Sequence, residues 1–303
     1  MGPLLFLLYI NDIPNAISSK VRLFADDAIL YREIKSPEDS LSLQKDLDAL
    51  CEWGKTWQMS FNTTKCHIMH VSHKTKPLLS EYHMGSHSLL AVDHHPYLGV
   101  ELSKDLSWAT HISKVSNKAN RTLGLLRRNL HACSTSVKEN AYKSLVRPKL
   151  EYCGAIWDPY NNNNKTTLEK VQRRSARFVC NDYKRKSSVN DMLTFLDWDT
   201  LELRRINLRF IAIYKESHKI TPSNLPSSQS TNCHETRQNS GPYIINSLNF
   251  NKRCYQYSLY PRTIREWNML PPNTRAAPDV NSFKKEIEQI DLLDLVKRAH
   301  FKI

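Results

Sequence analysis

The chain has 303 residues, 40% of them hydrophobic, which is enough for a substantial core and about two domains; its longest apolar run, Leu4 to Ile10, is too short to cross a bilayer. Seven cysteines, odd in number and never in a C-x-x-C pair, indicate a reducing, intracellular setting and argue against a disulfide framework or zinc ribbon. The net charge of +13 is uneven: residues 1–106 carry 10 Lys/Arg against 13 Asp/Glu, residues 107–218 carry 21 against 10, and residues 219–303 carry 12 against 7, so fixed carboxylates precede a surface suited to phosphates.

Gly2 to Ile13 reads as the end of a longer apolar element without an N-cap. It has no basic leader, and Phe6 stands where a myristoylation signal wants Ser or Thr. Val21 to Tyr31 reads as two short strands meeting at a tight turn, with Asp26 and Asp27 at the tip. Two adjacent carboxylates in a buried hairpin need a cation, and magnesium suits their hard oxygens. An ordinary solvated turn accounts for the same two residues without metal.

Ser36-Pro37-Glu38-Asp39 opens an amphipathic helix with Leu43, Leu47, Leu50 and Trp57 on its apolar side and Lys45, Asp46, Asp48, Glu52 and Lys55 elsewhere. Asn62-Thr63-Thr64-Lys65 leads into an expected strand, Cys66 to Val71. His67 and His73 on such a strand face away from Cys66 and His70, so the four do not converge on a metal. A hairpin is expected between Lys74 and His95, around Met84-Gly85-Ser86. Tyr97-Leu98-Gly99-Val100 follows, where the glycine permits either a close backbone approach or a bulge.

Four of these stretches, Gly2-Pro3-Leu4-Leu5-Phe6-Leu7-Leu8-Tyr9-Ile10-Asn11-Asp12-Ile13-Pro14, Phe24-Ala25-Asp26-Asp27, Asn62-Thr63-Thr64-Lys65 and Tyr97-Leu98-Gly99-Val100, resemble successive palm motifs of reverse transcriptases, in the family's order and spacing. The closest resemblance is to the non-LTR, LINE-type and jockey-like retrotransposon class. It implies an RNA-directed DNA polymerase, a nucleotidyltransferase whose partners are an RNA template, a DNA primer and dNTPs, located in nucleus and cytoplasm. Asp26 and Asp27 would hold Mg2+ in a two-metal site that activates the primer 3′ hydroxyl and stabilises the leaving pyrophosphate. Lys65 would contact phosphate first and act as a proton donor second, and Leu98 and Gly99 would belong to a primer-grip hairpin. The family's Gln-Gly turn, fingers and motif A aspartate are not found among these residues. The two-metal site is therefore expected to be incomplete and the chain alone inactive or very weak, with a non-catalytic nucleic-acid-binding remnant as the alternative.

From Trp108 the pattern turns helical. Ile112, Val115, Ala119, Leu123 and Leu126 share one side, opposite Lys114, Lys118, Arg121, Arg127 and Arg128. Ser136-Val137-Lys138-Glu139 reads as a capping box opening a helix with Ala141, Tyr142 and Leu145, interrupted by Pro148. A third helix, Thr167 to Val179, carries Lys170, Arg173, Arg174 and Arg177 around an apolar face. A fourth begins at Asp199-Thr200-Leu201-Glu202 and runs to about His218 with Arg204, Arg205 and Arg209. Any single charged rim is a solvated face, but four of one sign in succession suit a polyanion. Their place after the palm is that of a polymerase thumb.

Residues 219–242, rich in Ser, Thr and Pro, read as a linker. Beyond it, residues 257–267 mix aromatics with arginines, a composition that stacks bases or fills small cores, and Asn281 to Lys297 reads as one last helix. The expected fold is a partial α/β (α+β) polymerase palm over 1–106, an all-α thumb-like domain over 107–218, a linker over 219–242 and a flexible C-terminal tail over 243–303.

Overall fold

The computed structural model describes residues 2–222, 225, 243–246 and 248–301, and the chain divides into two compact units, one ending at Ser107 and the other beginning at Trp108.

The first unit opens with α1 (Gly2–Ile10), whose leucines are largely exposed and which buries only Ile10. Strands β1 (Lys20–Phe24) and β2 (Asp27–Tyr31) pair antiparallel from Phe24↔Asp27 to Lys20↔Tyr31. Because side chains alternate across a strand, Val21, Leu23, Ala28 and Leu30 share one face, and Leu23 and Leu30 pack on the core of α2 (Pro37–Thr56). The start of α2 is the expected one: the Ser36 N–H donates to Asp39 Oδ2 at 3.0 Å.

Two readings of α2 need correction. Trp53, 8% exposed, joins Leu47 and Leu50 in the core, whereas Trp57 is 42% exposed at the C-cap and meets Tyr9 edge-on. Position 57 continues the stripe of 43, 47 and 50, but the helix ends at Thr56, so Trp57 stands at the C-cap past the last turn and Trp53 takes the inward place. Asp46, assigned to the polar side, is buried and accepts the Ser18 and Ser19 N–H groups at 2.8 Å each. Burial opposes its charge, but these donors hold its carboxyl below the usual range and fasten α2 to the segment that enters β1.

The expected strand from Cys66 shrinks to β3 (His67–Ile68), which pairs in parallel with β6 (Leu90–Ala91). Between them β4 (His83–Met84) and β5 (His87–Ser88) form the expected hairpin, turning at Gly85 with φ +59°. Strands β7 (His94–Tyr97) and β8 (Val100–Ser103) close the unit. Among the described residues the strands form four separate pairs rather than one continuous sheet, so the shared layer is the apolar cluster around α2.

The second unit is helical. Helix α3 (Ala109–Asn129) buries Ile112, Ala119, Leu123 and Leu126 as the periodicity predicts. Helix α4 (Thr135–Ala141) begins after Ser134, two residues ahead of the expected capping box, and Glu139 instead accepts from Trp198 Nε1 at 3.0 Å and pairs with Lys143. A π-turn over Tyr142–Val146 then leads into α5 (Arg147–Glu151), with Pro148 in its first turn. The wider turn absorbs the missing proline N–H and shifts the helical phase, so Tyr142, Val146 and Leu150 are buried while Leu145 stays 49% exposed. Helix α6 (Asn162–Cys180) starts five residues earlier than expected because Asn161 Oδ1 accepts from the Asn163 N–H. After α7 (Val189–Phe195), α8 (Leu201–Ser217) begins at Thr200, whose hydroxyl accepts from the Leu203 N–H.

Of the expected linker only residues 219–222 and 225 are among the described residues; the rest lies outside them. The expected flexible tail is overturned. Helices α9 (Arg253–Gln256), α10 (Leu259–Asn268), α11 (Pro272–Arg275), α12 (Val280–Glu288) and α13 (Leu292–Phe301) belong to the second unit. Ile206, Phe210, Ile213 and Tyr214 of α8 form one core with Ile264, Trp267, Phe283, Ile287 and Leu295. The last helix is broken at residues 289–291 rather than continuous.

Candidate functional site

In the first unit the register of β1–β2 leaves a two-residue turn, Ala25-Asp26, with Ala25 at φ +49°. Asp27 opposes Phe24 and lies on the face with Arg22 and Ile29, away from the core side of the hairpin. Both Asp26 and Asp27 are exposed. The hairpin is thus anchored from below and presents two adjacent carboxylates to solvent, instead of burying them as expected. Among the described residues no group of three His, Cys, Asp or Glu side chains is arranged to hold a metal ion. Two exposed carboxylates without a third ligand do not make a magnesium site by themselves.

Lys65 ends a single 3-10 turn, Thr63–Lys65, and is exposed. Leu98 and Gly99 form the β7–β8 turn with φ +47° and +79°, so both central residues are left-handed, as the tight hairpin turn demands. Gly99 is therefore a turn residue, not a bulge.

In the second unit Lys118, Arg121, Arg127 and Arg128 are exposed on α3, opposite its apolar side. Helix α6 packs on α3, and Arg174 Nη1 donates to Asn120 Oδ1 at 3.2 Å, while Arg173 Nη1 donates to Asn190 Oδ1 at 2.7 Å. Both remain exposed. Arg177 is committed locally: it donates to the carbonyls of Asp182, Lys184 and Ser187 and so holds the loop after α6.

Arg205 and Arg209 leave the expected basic rim altogether. Asp158 pairs with Arg205 at 2.8 Å, Arg209 at 2.9 Å and Arg262 at 3.1 Å; Glu266 pairs with Arg209 at 2.5 Å, Arg262 at 3.3 Å and His300 at 2.9 Å. Burial opposes the charge of Glu266, but Arg209, His300 and Arg262 hold its carboxyl down at about 2. These arginines neutralise carboxylates inside the unit and are not available to phosphates. Arg204 likewise binds Glu151.

Arg127 and Arg128 sit at the mouth of a groove also lined by His131, Lys138, Asn181 and Tyr183. None of these last four was singled out from the sequence for binding. The run Tyr183-Lys184-Arg185-Lys186 was the available signal for this region, whereas the placement of Lys138 depends on how α4 packs.

Residues 1–102 match the family model described as reverse transcriptase (RNA-dependent DNA polymerase). In Drosophila melanogaster, the probable RNA-directed DNA polymerase from transposon BS is 27% identical over 192 residues, covering 59% of this chain and 21% of that protein. The probable RNA-directed DNA polymerase from transposon X-element is 23% identical over 188 residues, with the same coverage of 59% and 21%. This chain therefore spans about a fifth of the length of the curated relatives it matches. No solved structure matches it. The similarity is thus to reverse transcriptases over residues 1–102 and to transposon RNA-directed DNA polymerases over a longer stretch, and no helix among the described residues is long and apolar enough to cross a membrane.

Proposed function

We propose that this chain is the part of a non-LTR, jockey-like RNA-directed DNA polymerase that carries the later palm motifs and the basic, thumb-like helices behind them. The observation supporting this reading is the β1–β2 hairpin. Within the stretch that matches the polymerase family, it raises Asp26 and Asp27 into solvent on a core-anchored strand pair.

Asp26 is the principal metal-facing carboxylate and Asp27 the second. Magnesium in such polymerases supplies charge neutralisation for phosphoryl transfer, and this pair offers it two carboxylates, the remaining ligands lying outside the hairpin. The chain by itself therefore binds template and primer without extending the primer. Exposed Lys65 contacts phosphate, and the Leu98-Gly99 turn approaches the primer backbone. The exposed Lys118, Arg121, Arg127, Arg128, Arg173 and Arg174 hold strand phosphates through counterion release; Arg177 acts behind them by fixing its loop. The setting is intracellular, nuclear and cytoplasmic. A second reading, a nucleic-acid-binding remnant without catalysis, draws support from the missing third ligand among the described residues.

Primer extension on an RNA template with magnesium and dNTPs, run beside a binding assay and the Asp26→Ala variant, tests whether the chain itself binds and whether it extends. Extension that vanishes in Asp26→Ala supports a self-sufficient polymerase and overturns the inactivity proposed here. Salt-sensitive binding without extension, unchanged by Asp26→Ala, supports a chain that grips nucleic acid. Absence of both overturns both readings.

A further inference from the structure

The groove beside α3 has features that a merely solvated basic face does not require. It encloses about 420 Å³, within the range of sites that hold a small ligand. Its lining contains Arg127, Arg128, His131 and Lys138 and no carboxylate. Lys138 is only 3% exposed. Its ammonium lies 5.7 Å from the centre of the Phe178 ring and has neither a hydrogen-bond acceptor nor a carboxylate partner among the described residues. Glu139, next in sequence, is occupied by Lys143 and Trp198, and Asp182, between the groove residues Asn181 and Tyr183, accepts from the Lys184 N–H. The stem is buried while the ammonium opens onto the groove, which places a positive charge where an anion can meet it.

Two further features define what enters. Gly124 lies on the groove side of α3, where an added Cβ would have only Arg128 Nη1 nearby, at 3.9 Å. Glycine is the poorest helix former apart from proline, and here its missing side chain leaves the groove open. Tyr183, half exposed, has the Arg127 guanidinium 5.1 Å from its ring centre and so is held as a wall. The exposed Lys184, Arg185 and Lys186 continue the loop beside it, and Arg177 braces that loop from within.

We propose that this groove is a pocket for one nucleotide of a single-stranded nucleic acid, with the phosphate held by Lys138, Arg128 and His131 and the base set against Tyr183. A duplex keeps its bases stacked and offers only its backbone, so it has no means of filling an aromatic-walled cavity. This inference rests on the reading that the chain binds nucleic acid, and goes beyond it by assigning a strand type and a site.

The test is fluorescence anisotropy of the full chain with a labelled oligothymidylate and, separately, a hairpin duplex, for the parent, Lys138→Met and Gly124→Leu. Lys138→Met keeps the buried stem and removes the charge; Gly124→Leu fills the groove without changing charge. Thermal melts establish that each variant is folded. The expected result is an about tenfold or greater loss of single-strand affinity in both variants, with duplex affinity within about twofold of the parent. Unchanged single-strand affinity in folded variants, or equal losses on both probes, overturns the pocket while leaving the broader nucleic-acid reading standing. If Lys138→Met fails to fold, Gly124→Leu decides alone. A parent chain that binds neither probe overturns the broader reading and the pocket together.

Discussion

Asp158 illustrates how a single buried carboxylate can organise arginines that look like ligand-binding residues in sequence. It lies between Arg205, Arg209 and Arg262, drawn from two helices and joined with Glu266 and His300 into one network. Removing one partner of such a buried pair leaves uncompensated charge, so Asp158→Ala should lower the stability of the second unit by about 3–5 kcal/mol, measured by chemical denaturation. Glu266 adds a pH dependence. Its folded carboxyl sits near 2, below its ordinary value of 4.5, so its contribution is fully present above about 4.5 and fades as pH falls through about 2. Acid titration followed by fluorescence of the neighbouring Trp267 should show the second unit weakening over that interval; Glu266→Gln should flatten this part of the profile.

At the scale of elements, periodicity located the helices, and local chemistry decided where their faces turned. The π-turn over Tyr142–Val146 is the clearest case. A regular helix through Pro148 would place Leu145 inward, and the extra residue in the turn gives the inward position to Val146 and Leu150 instead. Leu150→Ala should therefore cost about 2–5 kcal/mol in an equilibrium unfolding experiment, while Leu145→Ala should stay within about 0.5 kcal/mol. Helix α1 poses the opposite situation, with an apolar surface that its own unit leaves uncovered: Leu4 and Leu8 are among its exposed residues. Apolar area of this kind promotes association in water. Replacing Leu4 and Leu8 by Gln should reduce self-association in light scattering without lowering the melting temperature of the first unit.

Considered whole, the chain joins a strand-bearing unit with a solvent-facing carboxylate pair to a helical unit whose free basic groups collect on α3, α6 and the loop after α6. The charge asymmetry read from composition survives, but the number of cations open to a phosphate falls, because Arg205, Arg209 and Arg262 are consumed internally and Arg177 holds its own loop. The segment from Tyr243 onward belongs with the helices. The Trp267 indole donates to the Tyr243 carbonyl, and Asn268 exchanges hydrogen bonds with Ile245, so the segment ahead of α9 is pinned to α10. Deleting residues 243–303 would expose the apolar face of α8, and the shortened chain should lose the cooperative melt of the second unit rather than shed a passive tail.

The sequence by itself determined the features with a local physical cause. Alternation around Asp26-Asp27 set the hairpin, Ser36 and Thr200 set helix starts, and the apolar stripe of α3 set its buried side. These rest on contacts within a few residues, so spacing and residue type suffice to predict them. Tertiary structure alone decided which arginines face solvent, that Lys138 is buried beside an open Gly124, that Asp46 is a fastening point and that the C-terminal residues complete a core. Each depends on partners many residues away, Asp158 with Arg262 or Trp267 with Phe283 for example, and charge or apolarity at one position does not reveal the distant group that will neutralise or cover it.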